Sequence, residues 1–236
     1  MFLPLIVGAQ AVELRVQTGH TGFPKSMTLS QDGKWMASAG TDKLIKIWDV
    51  ATGRELRSFF HETLLYPTVV SIGAERKYMV SASLYEVKLW DLEKSKELDN
   101  FSCPLVINQS AASFSYKAVA LSPTANVLAV GNYEETGTIG LLEVPSGKLI
   151  KKLKGHIDYL LSLDFSPDGK KIVSGGLDKI VRVWDVEKGK EIHKLNKHMD
   201  PVFSVDYGNN DLIATSSMYN NITLWDGVSG LEKRSF

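Results

Sequence analysis

The sequence predicts an all-β fold built from one structural unit that is repeated along the chain. The dipeptide Trp-Asp occurs four times, and its tryptophans, Trp48, Trp90, Trp184 and Trp225, are spaced by 42, 94 and 41 residues. Between these pairs, short runs of β-branched and apolar residues alternate with Gly, Asp and Pro turns. Several short strands within a fixed period of about 40 residues are typical of repeat proteins, in which each unit packs on the next.

The first and fourth repeats show the predicted strands most clearly. The first repeat should contain strands over 26–30, 35–39, 43–50 and 54–59. The fourth should contain strands over 160–165, 171–175, 180–186 and 190–195. The Asp-Gly pairs at 32–33 and 168–169 predict hairpin turns, because glycine adopts positive φ without steric cost.

Five repeats can be delimited in this way, over 19–60, 61–101, 102–154, 155–197 and 198–236. The third repeat diverges from the others. A long lead over 102–116 precedes its strands, and Leu142 stands where the other repeats have tryptophan. Because the first turn is still marked by Ser122-Pro123, we expect a degenerate unit of four strands.

Composition excludes several classes of protein. The chain has 27 basic and 27 acidic residues, so bulk charge favours neither nucleic acid nor an anionic membrane as a partner. Its 44% hydrophobic residues suit a folded protein, and no apolar run is long enough to span a membrane. Cys103 is the single cysteine, which rules out an intrachain disulfide and a cysteine-based metal site.

Residues 1–11 form an apolar leader that is set apart from the repeats in residues 12–236. Residues 9–11 have the small-x-small form of a signal-peptidase site, but no basic segment precedes the short apolar core. Three interpretations stay open: the remnant of a signal peptide, a degenerate strand, or an incidental leader. The free cysteine slightly favours the cytoplasm, whereas a signal-peptide remnant would indicate export.

The recurring residues resemble those of the WD40-repeat family, and of its bacterial members in particular. The resemblance covers residues 12–236 and depends on the Gly-His pairs at 19–20 and 155–156, the Ser-Pro-Asp-Gly turn at 166–169 and the Trp-Asp pairs. It implies a β-propeller, in which four-stranded blades stand radially around a channel. The predicted fold is therefore five such blades preceded by an N-terminal outer strand.

The resemblance also implies a polar network inside each blade, joining a histidine, a hydroxyl residue, an aspartate and the tryptophan. The complete networks would be His20, Ser38, Asp42 and Trp48 in the first repeat and His156, Ser174, Asp178 and Trp184 in the fourth. The fifth repeat has Tyr219 where the aspartate is expected, and the second has a shorter turn with Leu84 and Tyr85. We therefore expect blades 1 and 4 to be the stiffest.

The start of the chain raises a question of ring closure. Residues 13–16 match the outer strand over 55–58, so the chain begins with an outer strand that has no inner strands of its own. In the family such a strand commonly completes the last blade, but residues 231–235 already supply one there. Two interpretations stay open: an incomplete ring, as in a fragment of a propeller with six to eight blades, or five blades with an accessory strand.

No residue pattern indicates catalysis or metal binding. The histidines at 20, 61, 156 and 198 recur because the repeat recurs, and each belongs to its own blade, so we expect no metal site. The turn glycines lack the spacing of a phosphate-binding loop, and no Gly-x-Ser-x-Gly motif is present. We expect no catalytic residue and no cofactor.

Aromatic and methionine residues lie in the loops that the family gathers at one rim of the propeller. The candidate partner-binding residues are Phe23, Tyr66, Tyr85, Tyr133, Tyr159, Met199, Met218 and Tyr219. Exposed tyrosine and methionine are typical anchors of protein contacts. The alternative is that several of these side chains pack into neighbouring blades.

These features together predict a non-catalytic scaffold that binds a protein or peptide through its loop rim and channel mouth. We expect no nucleic-acid partner, and further blades or self-association could complete the open ends. The alternative is the sensory or docking arm of a larger enzyme, such as a bacterial caspase-like protease or a kinase.

Overall fold

The structure, a computed structural model, describes residues 19–30, 32–62, 66–73, 77–83, 86–98, 118–132, 136–218 and 222–236. Within these residues the chain forms five four-stranded antiparallel sheets and one 3-10 turn, Asn209–Asp211. Consecutive strands are neighbours in every sheet. The prediction of an all-β fold with five four-stranded blades is confirmed.

The twenty strands follow the chain through the blades in order. Blade 1 contains β1 (Pro24–Leu29), β2 (Trp35–Gly40), β3 (Leu44–Asp49) and β4 (Glu55–Phe60). Blade 2 contains β5 (Val69–Ile72), β6 (Tyr78–Ala82), β7 (Val87–Asp91) and β8 (Lys96–Glu97). Blade 3 contains β9 (Val119–Leu121), β10 (Val127–Gly131), β11 (Thr138–Glu143) and β12 (Leu149–Lys154).

The last two blades continue the same arrangement. Blade 4 contains β13 (Leu160–Phe165), β14 (Lys171–Gly176), β15 (Val181–Asp185) and β16 (Lys190–Leu195). Blade 5 contains β17 (Val202–Tyr207), β18 (Leu212–Ser217), β19 (Ile222–Asp226) and β20 (Glu232–Ser235). The strand β20 lies where the sequence places an outer strand over 231–235. The predicted leading strand over 13–16 lies outside the described residues.

The turn between the first two strands of blade 1 shows how the sequence makes a hairpin. The Ser30 hydroxyl donates to the Asp32 carboxylate (2.7 Å), and Gly33 donates its N–H to the Ser30 carbonyl (2.8 Å). Gly33, the fourth residue of this turn, has a φ of 66°, which glycine adopts without steric cost. Blade 4 repeats the turn, with Ser166 donating to Asp168. The hydroxyl–carboxylate pair therefore closes equivalent hairpins in both blades.

Apolar clusters lie between consecutive blades and hold them together. Between blades 1 and 2, Ile45 and Ile47 of β3 pack with Met79 and Trp90 of blade 2. Clusters of the same kind join blades 2 and 3, 3 and 4, and 4 and 5. In each case the tryptophan, or Leu142 in blade 3, faces the preceding blade. The repeated tryptophan is therefore an interface residue between units.

Hydrogen bonds between inner strands reinforce these interfaces. Ser26 accepts from the backbone N–H of Val70 (3.2 Å), and Ser162 accepts from that of Val205 (3.2 Å). Asp164 accepts from the backbone N–H of Tyr207 (2.9 Å). The inner strands β1, β5, β9, β13 and β17 line a channel of about 670 Å³, so that all five blades contribute to it. The blades therefore stand side by side around an axis, as the resemblance implies.

Candidate functional site

A buried chain of hydrogen bonds runs through blade 4. The Trp184 indole N–H donates to Ser174 Oγ (2.8 Å), and Ser174 Oγ lies 2.8 Å from His156 Nε2. His156 Nδ1 lies 2.8 Å from Asp178 Oδ2. A neutral histidine with its proton on Nδ1 satisfies every member, since it donates to Asp178 and accepts from Ser174.

The environment of Asp178 keeps it ionised in this network. Burial acts to raise the pKa of this carboxyl, but the hydrogen bond from His156 and the backbone N–H groups of Ile180 and Ile157 outweigh it. The net result is a pKa below the ordinary 3.8. Asp178 is therefore a carboxylate acceptor at neutral pH, and it fixes both the histidine ring and the start of the following loop.

Blade 1 has the same set of contacts in a more open setting. His20 Nε2 lies 2.7 Å from Ser38 Oγ, and His20 Nδ1 lies 3.0 Å from Asp42. Trp48 donates to Ser38 Oγ (2.8 Å), and Asp42 also accepts from the backbone N–H of Thr21 (2.9 Å). Trp48 is half-buried, whereas Trp184 is 1% exposed. The hydrogen bonds are alike in the two blades, but their shielding from water differs.

Blades 2 and 5 contain a shorter network without an aspartate among the described residues. In blade 5, Thr215 takes the place of serine between His198 (2.7 Å) and Trp225 (2.8 Å). In blade 2, Ser81 contacts His61 Nδ1 (3.0 Å), and Nε2 of this buried ring has no hydrogen-bond partner in the described part of the chain. Burial, followed by the charge of nearby lysines, lowers the pKa of His61 to about 4.

In blades 1 and 4, hydrogen bonds from the backbone hold the loop that follows the histidine at one rim of the molecule. The backbone N–H of Ile157 donates to Asp178, and that of Phe23 donates to the Thr41 hydroxyl (2.8 Å). In contrast to these anchored backbones, the side chains extend into solvent. Ile157 is 84% exposed, Phe23 77% and Met199 76%. Together with the exposed Met218, these four residues are called the apolar rim.

The predicted partner-binding residues divide into three groups. Phe23, Met199 and Met218 are exposed. Tyr66 and Tyr159 are half-buried, and Lys25 Nζ lies 5.6 Å from the Tyr66 ring centroid. The remaining candidates, Tyr85, Tyr133 and Tyr219, lie outside the described residues.

Ile157 is an exposed rim residue that the sequence analysis missed. It directly follows His156, just as Met199 directly follows His198. This position in the repeat was the available signal, but the predicted rim residues were aromatic residues and methionines only. Ile157 has the largest exposed fraction among the exposed large hydrophobic residues that the structure describes.

The channel contains a carboxyl group whose pKa is strongly raised. Burial, together with the charge of Asp206, raises the pKa of Asp164 to about 7, against the effect of the Tyr207 backbone N–H. No cluster of three or more His, Cys, Asp or Glu side chains in the described part of the chain could hold a metal ion. Cys103 lies outside that part. The two neighbouring carboxyls form a contact between blades 4 and 5.

The described residues contain no helix of the length and apolar character needed to cross a membrane. The profile of the WD domain, G-beta repeat, matches residues 11–49, 147–185 and 189–226. Each matched stretch ends at or directly after a Trp-Asp pair. The matched stretches therefore contain the residues that form the networks of blades 1, 4 and 5.

Similar proteins come from plants and fungi. Small ribosomal subunit protein RACK1z of Arabidopsis thaliana is 26% identical over 168 residues, which are 71% of this chain and 41% of that protein. Periodic tryptophan protein 2 of the same plant is 25% identical over 217 residues, 91% of this chain and 23% of that protein. Nuclear distribution protein PAC1 of Arthroderma otae is 29% identical over 186 residues, 72% of this chain and 38% of that protein.

The chain thus spans less than half the length of each of these three relatives. They give no support to the bacterial origin that the sequence analysis expected. Three matched repeats, five four-stranded blades and similarity to proteins built of the same repeat point to one family. The chain belongs to the WD40-repeat family.

Proposed function

We propose that this chain is a non-catalytic interaction scaffold that binds a protein or peptide through its apolar rim. The observation that carries the proposal is the contrast between anchored backbone and exposed side chain at Phe23 and Ile157. When a partner covers large apolar side chains that a rigid frame holds in water, the burial of their surface favours binding. The cost of ordering them is already met by the frame.

Several further observations support a contact surface over a reactive site. The histidines and serines of blades 1 and 4 are used in hydrogen bonds within the fold. The relatives include a ribosomal subunit protein and a nuclear distribution protein by name, which are not names of proteases or kinases. The comparisons therefore do not favour the alternative of a docking arm of an enzyme.

The experiment compares two triple variants that remove the same kind of surface from different places. The rim variant carries Phe23→Ser, Ile157→Ser and Met199→Ser. The control variant carries Leu56→Ser, Ile150→Ser and Ile192→Ser, which are exposed residues of the outer strands. Each protein is immobilised, and the proteins captured from a lysate of the source cells are quantified by mass spectrometry.

We expect a defined set of proteins to be captured by the wild type and the control variant and lost from the rim variant. Loss from both variants would indicate general hydrophobic adhesion. Equal capture by all three proteins would rule out the apolar rim as the binding surface. Circular dichroism verifies that both variants keep their β-structure.

A further inference from the structure

The inner strands of neighbouring blades are joined by hydrogen bonds that follow one pattern. Between blades 4 and 5, Ser162 accepts from the backbone N–H of Val205 (3.2 Å), and Asp164 accepts from that of Tyr207 (2.9 Å). Bonds of the same type join blades 1 and 2 and blades 2 and 3, with Ser26 accepting from Val70 and Ser71 accepting from Leu121. Polar side chains at alternate positions of one inner strand therefore bind alternate N–H groups of the next.

Blade 5 presents the acceptors of this pattern at an open side. Strand register places Ser204 and Asp206 at the positions that Ser162 and Asp164 occupy in blade 4. Ser162 is 5% exposed, whereas Ser204 and Asp206 are both exposed. In the described part of the chain, no blade packs on this side of blade 5. The acceptor half of the pattern is therefore accessible there.

Blade 1 presents the matching donors at its own open side. Strand register places Met27 and Leu29 at the positions of Val205 and Tyr207. At these alternate positions of an antiparallel pair, the backbone N–H points away from the second strand of the blade. Met27 is 74% exposed and Leu29 57%, whereas Val205 and Tyr207 are buried. The donor half of the pattern is thus exposed in blade 1.

The two halves of the pattern border one cavity. This cavity, of about 480 Å³, lies between Met27, Leu29 and Met36 of blade 1 and the carboxyls of Asp164 and Asp206. Its volume lies within the range of about 300–1,000 Å³ that is common for ligand sites. A molecule in the cavity therefore contacts the donors of blade 1 and an acceptor of blade 5 at the same time.

The open side of blade 5 also offers apolar contacts beside its acceptors. In the closed interface, Val205 belongs to one apolar cluster with Val173 and Val183 of blade 4, which are fully buried. Strand register gives Ala214 and Leu224 as their equivalents in blade 5, and both are only half-buried. An apolar side chain that lies between two polar positions of a bound strand thus has a surface on which to pack.

We propose that this cavity binds an extended segment of a partner protein in which Ser, Thr or Asp alternates with apolar residues. The polar side chains of the segment accept from the N–H groups of Met27 and Leu29, and its own N–H groups donate to Ser204 and Asp206. Its apolar side chains pack on blade 5. The bound segment takes the place of an inner strand, so its backbone supplies affinity and its alternation supplies specificity. This inference is independent of the proposed function, because the apolar rim lies on other parts of the molecule.

The probe for the test is a fluorescently labelled peptide with the sequence of residues 161–167, which contains the alternating pattern of β13. A control peptide carries Ser162→Ala and Asp164→Ala. Fluorescence anisotropy measures the Kd of each peptide for the full chain. We expect the loss of two acceptors to raise Kd by about tenfold or more. Equal Kd values for the two peptides, or no binding of the probe at about 0.5 mM protein, would overturn the proposal.

Two variants at one position of the protein separate the backbone donor from the side chain. Met27→Pro removes the N–H that points away from β2, a change that an edge strand tolerates. Met27→Ala keeps this N–H and removes the exposed side chain. We expect the probe to bind Met27→Pro about fivefold or more weakly than Met27→Ala. The same Kd for both variants would contradict the assigned hydrogen bond.

Ser204→Ala replaces Met27→Pro as the test if the proline variant does not fold. We expect this variant to bind the probe several-fold more weakly than the wild type, because an acceptor is lost. Met199→Ala in the apolar rim is the control, and it should leave the Kd unchanged. A loss of binding in Met199→Ala alone would place the probe on the rim and contradict the proposal. Sedimentation of the chain without peptide tests a second copy as the occupant, and a dimer that the probe does not dissociate would also contradict it.

Discussion

At the scale of single residues, one hydroxyl group joins three elements of blade 4. Ser174 is fully buried and contacts both Trp184 and His156, each at 2.8 Å. A buried donor or acceptor that loses its partner costs more than a hydrogen bond contributes, because its desolvation is no longer compensated. The same group in blade 1, Ser38, binds a tryptophan that is half-buried.

We therefore expect Ser174→Ala to lower the free energy of unfolding by about 2 kcal/mol and Ser38→Ala by roughly half as much. In the blade 4 variant the indole N–H and His156 Nε2 lose their partner out of reach of water. In the blade 1 variant water can replace the hydroxyl at Trp48. Urea denaturation at pH 7 measures both changes. Equal losses of unfolding free energy in the two variants would show that shielding from water does not determine the destabilisation.

The histidine of blade 2 makes stability sensitive to acid. The pKa of His61 is about 4 in the folded chain, mainly because of burial, against an ordinary value of 6.5. As the pH falls below 6.5, the unfolded chain binds a proton that the folded chain does not. Stability that is complete above pH 6.5 is therefore lost as the pH falls towards 4.

His61→Gln tests this assignment by removing the titrating group. We expect the wild type to lose about 2 kcal/mol more unfolding free energy than the variant between pH 7 and pH 5. Urea denaturation at the two pH values gives the comparison. The same pH dependence in both proteins would assign the loss to other groups.

At the scale of elements, blade 3 shows that the network is not required for a blade to form. Leu142 replaces the tryptophan and is fully buried, and Val130 occupies the place of the network serine. Asn132 instead links blade 3 to blade 4, because its side chain contacts both the N–H and the carbonyl of Leu160 (3.0 Å each). In blade 3, an apolar interior and one amide link therefore stabilise the blade in place of the network.

The inner strands of blades 4 and 5 meet at two carboxyls, and their repulsion should be measurable. The pKa of Asp164 is raised to about 7 by burial and by Asp206. The folded chain thus disfavours the charged form, and its stability decreases as the pH rises from about 4 to about 7. Asparagine at this position can still accept from the Tyr207 N–H without carrying charge.

Asp164→Asn should therefore stabilise the protein, by about 1–2 kcal/mol more at pH 8 than at pH 5. Thermal or urea unfolding of variant and wild type at both pH values measures the difference. Asp206→Asn serves as a control that removes the neighbouring charge and keeps Asp164. A destabilised variant with no change between the two pH values would contradict the assignment.

The sequence was sufficient to predict the strands and turns of blades 1 and 4, for identifiable physical reasons. Asp32-Gly33 and Asp168-Gly169 fix hairpins locally, and the Trp-Asp period fixes the unit. The inter-blade role of Asn132 and the raised pKa of Asp164 could not be predicted. Both depend on which residues the adjacent blade places opposite, and that follows from three-dimensional packing alone.

At the scale of the whole molecule, the described chain forms five blades around a channel with an uncovered face at each end of the row. Blade 5 exposes Ile222 (50%), which pairs with Phe236 as Ile45 pairs with the buried Phe59 in blade 1. The rim was predictable only in part, since Ile157 was missed and Tyr66 and Tyr159 are half-buried. Exposure depends on how each loop lies against the next blade.

The central claim is that recognition takes place at the apolar rim, and the affinity for a purified partner tests it most directly. Isothermal titration calorimetry would compare the wild type, the rim variant and the outer-strand control described above. Central apolar anchors contribute about 2 kcal/mol or more each, so we predict a loss of at least about 100-fold in Kd for the rim variant. The control should change Kd by less than about threefold. Equal affinities of the rim and control variants would contradict the account.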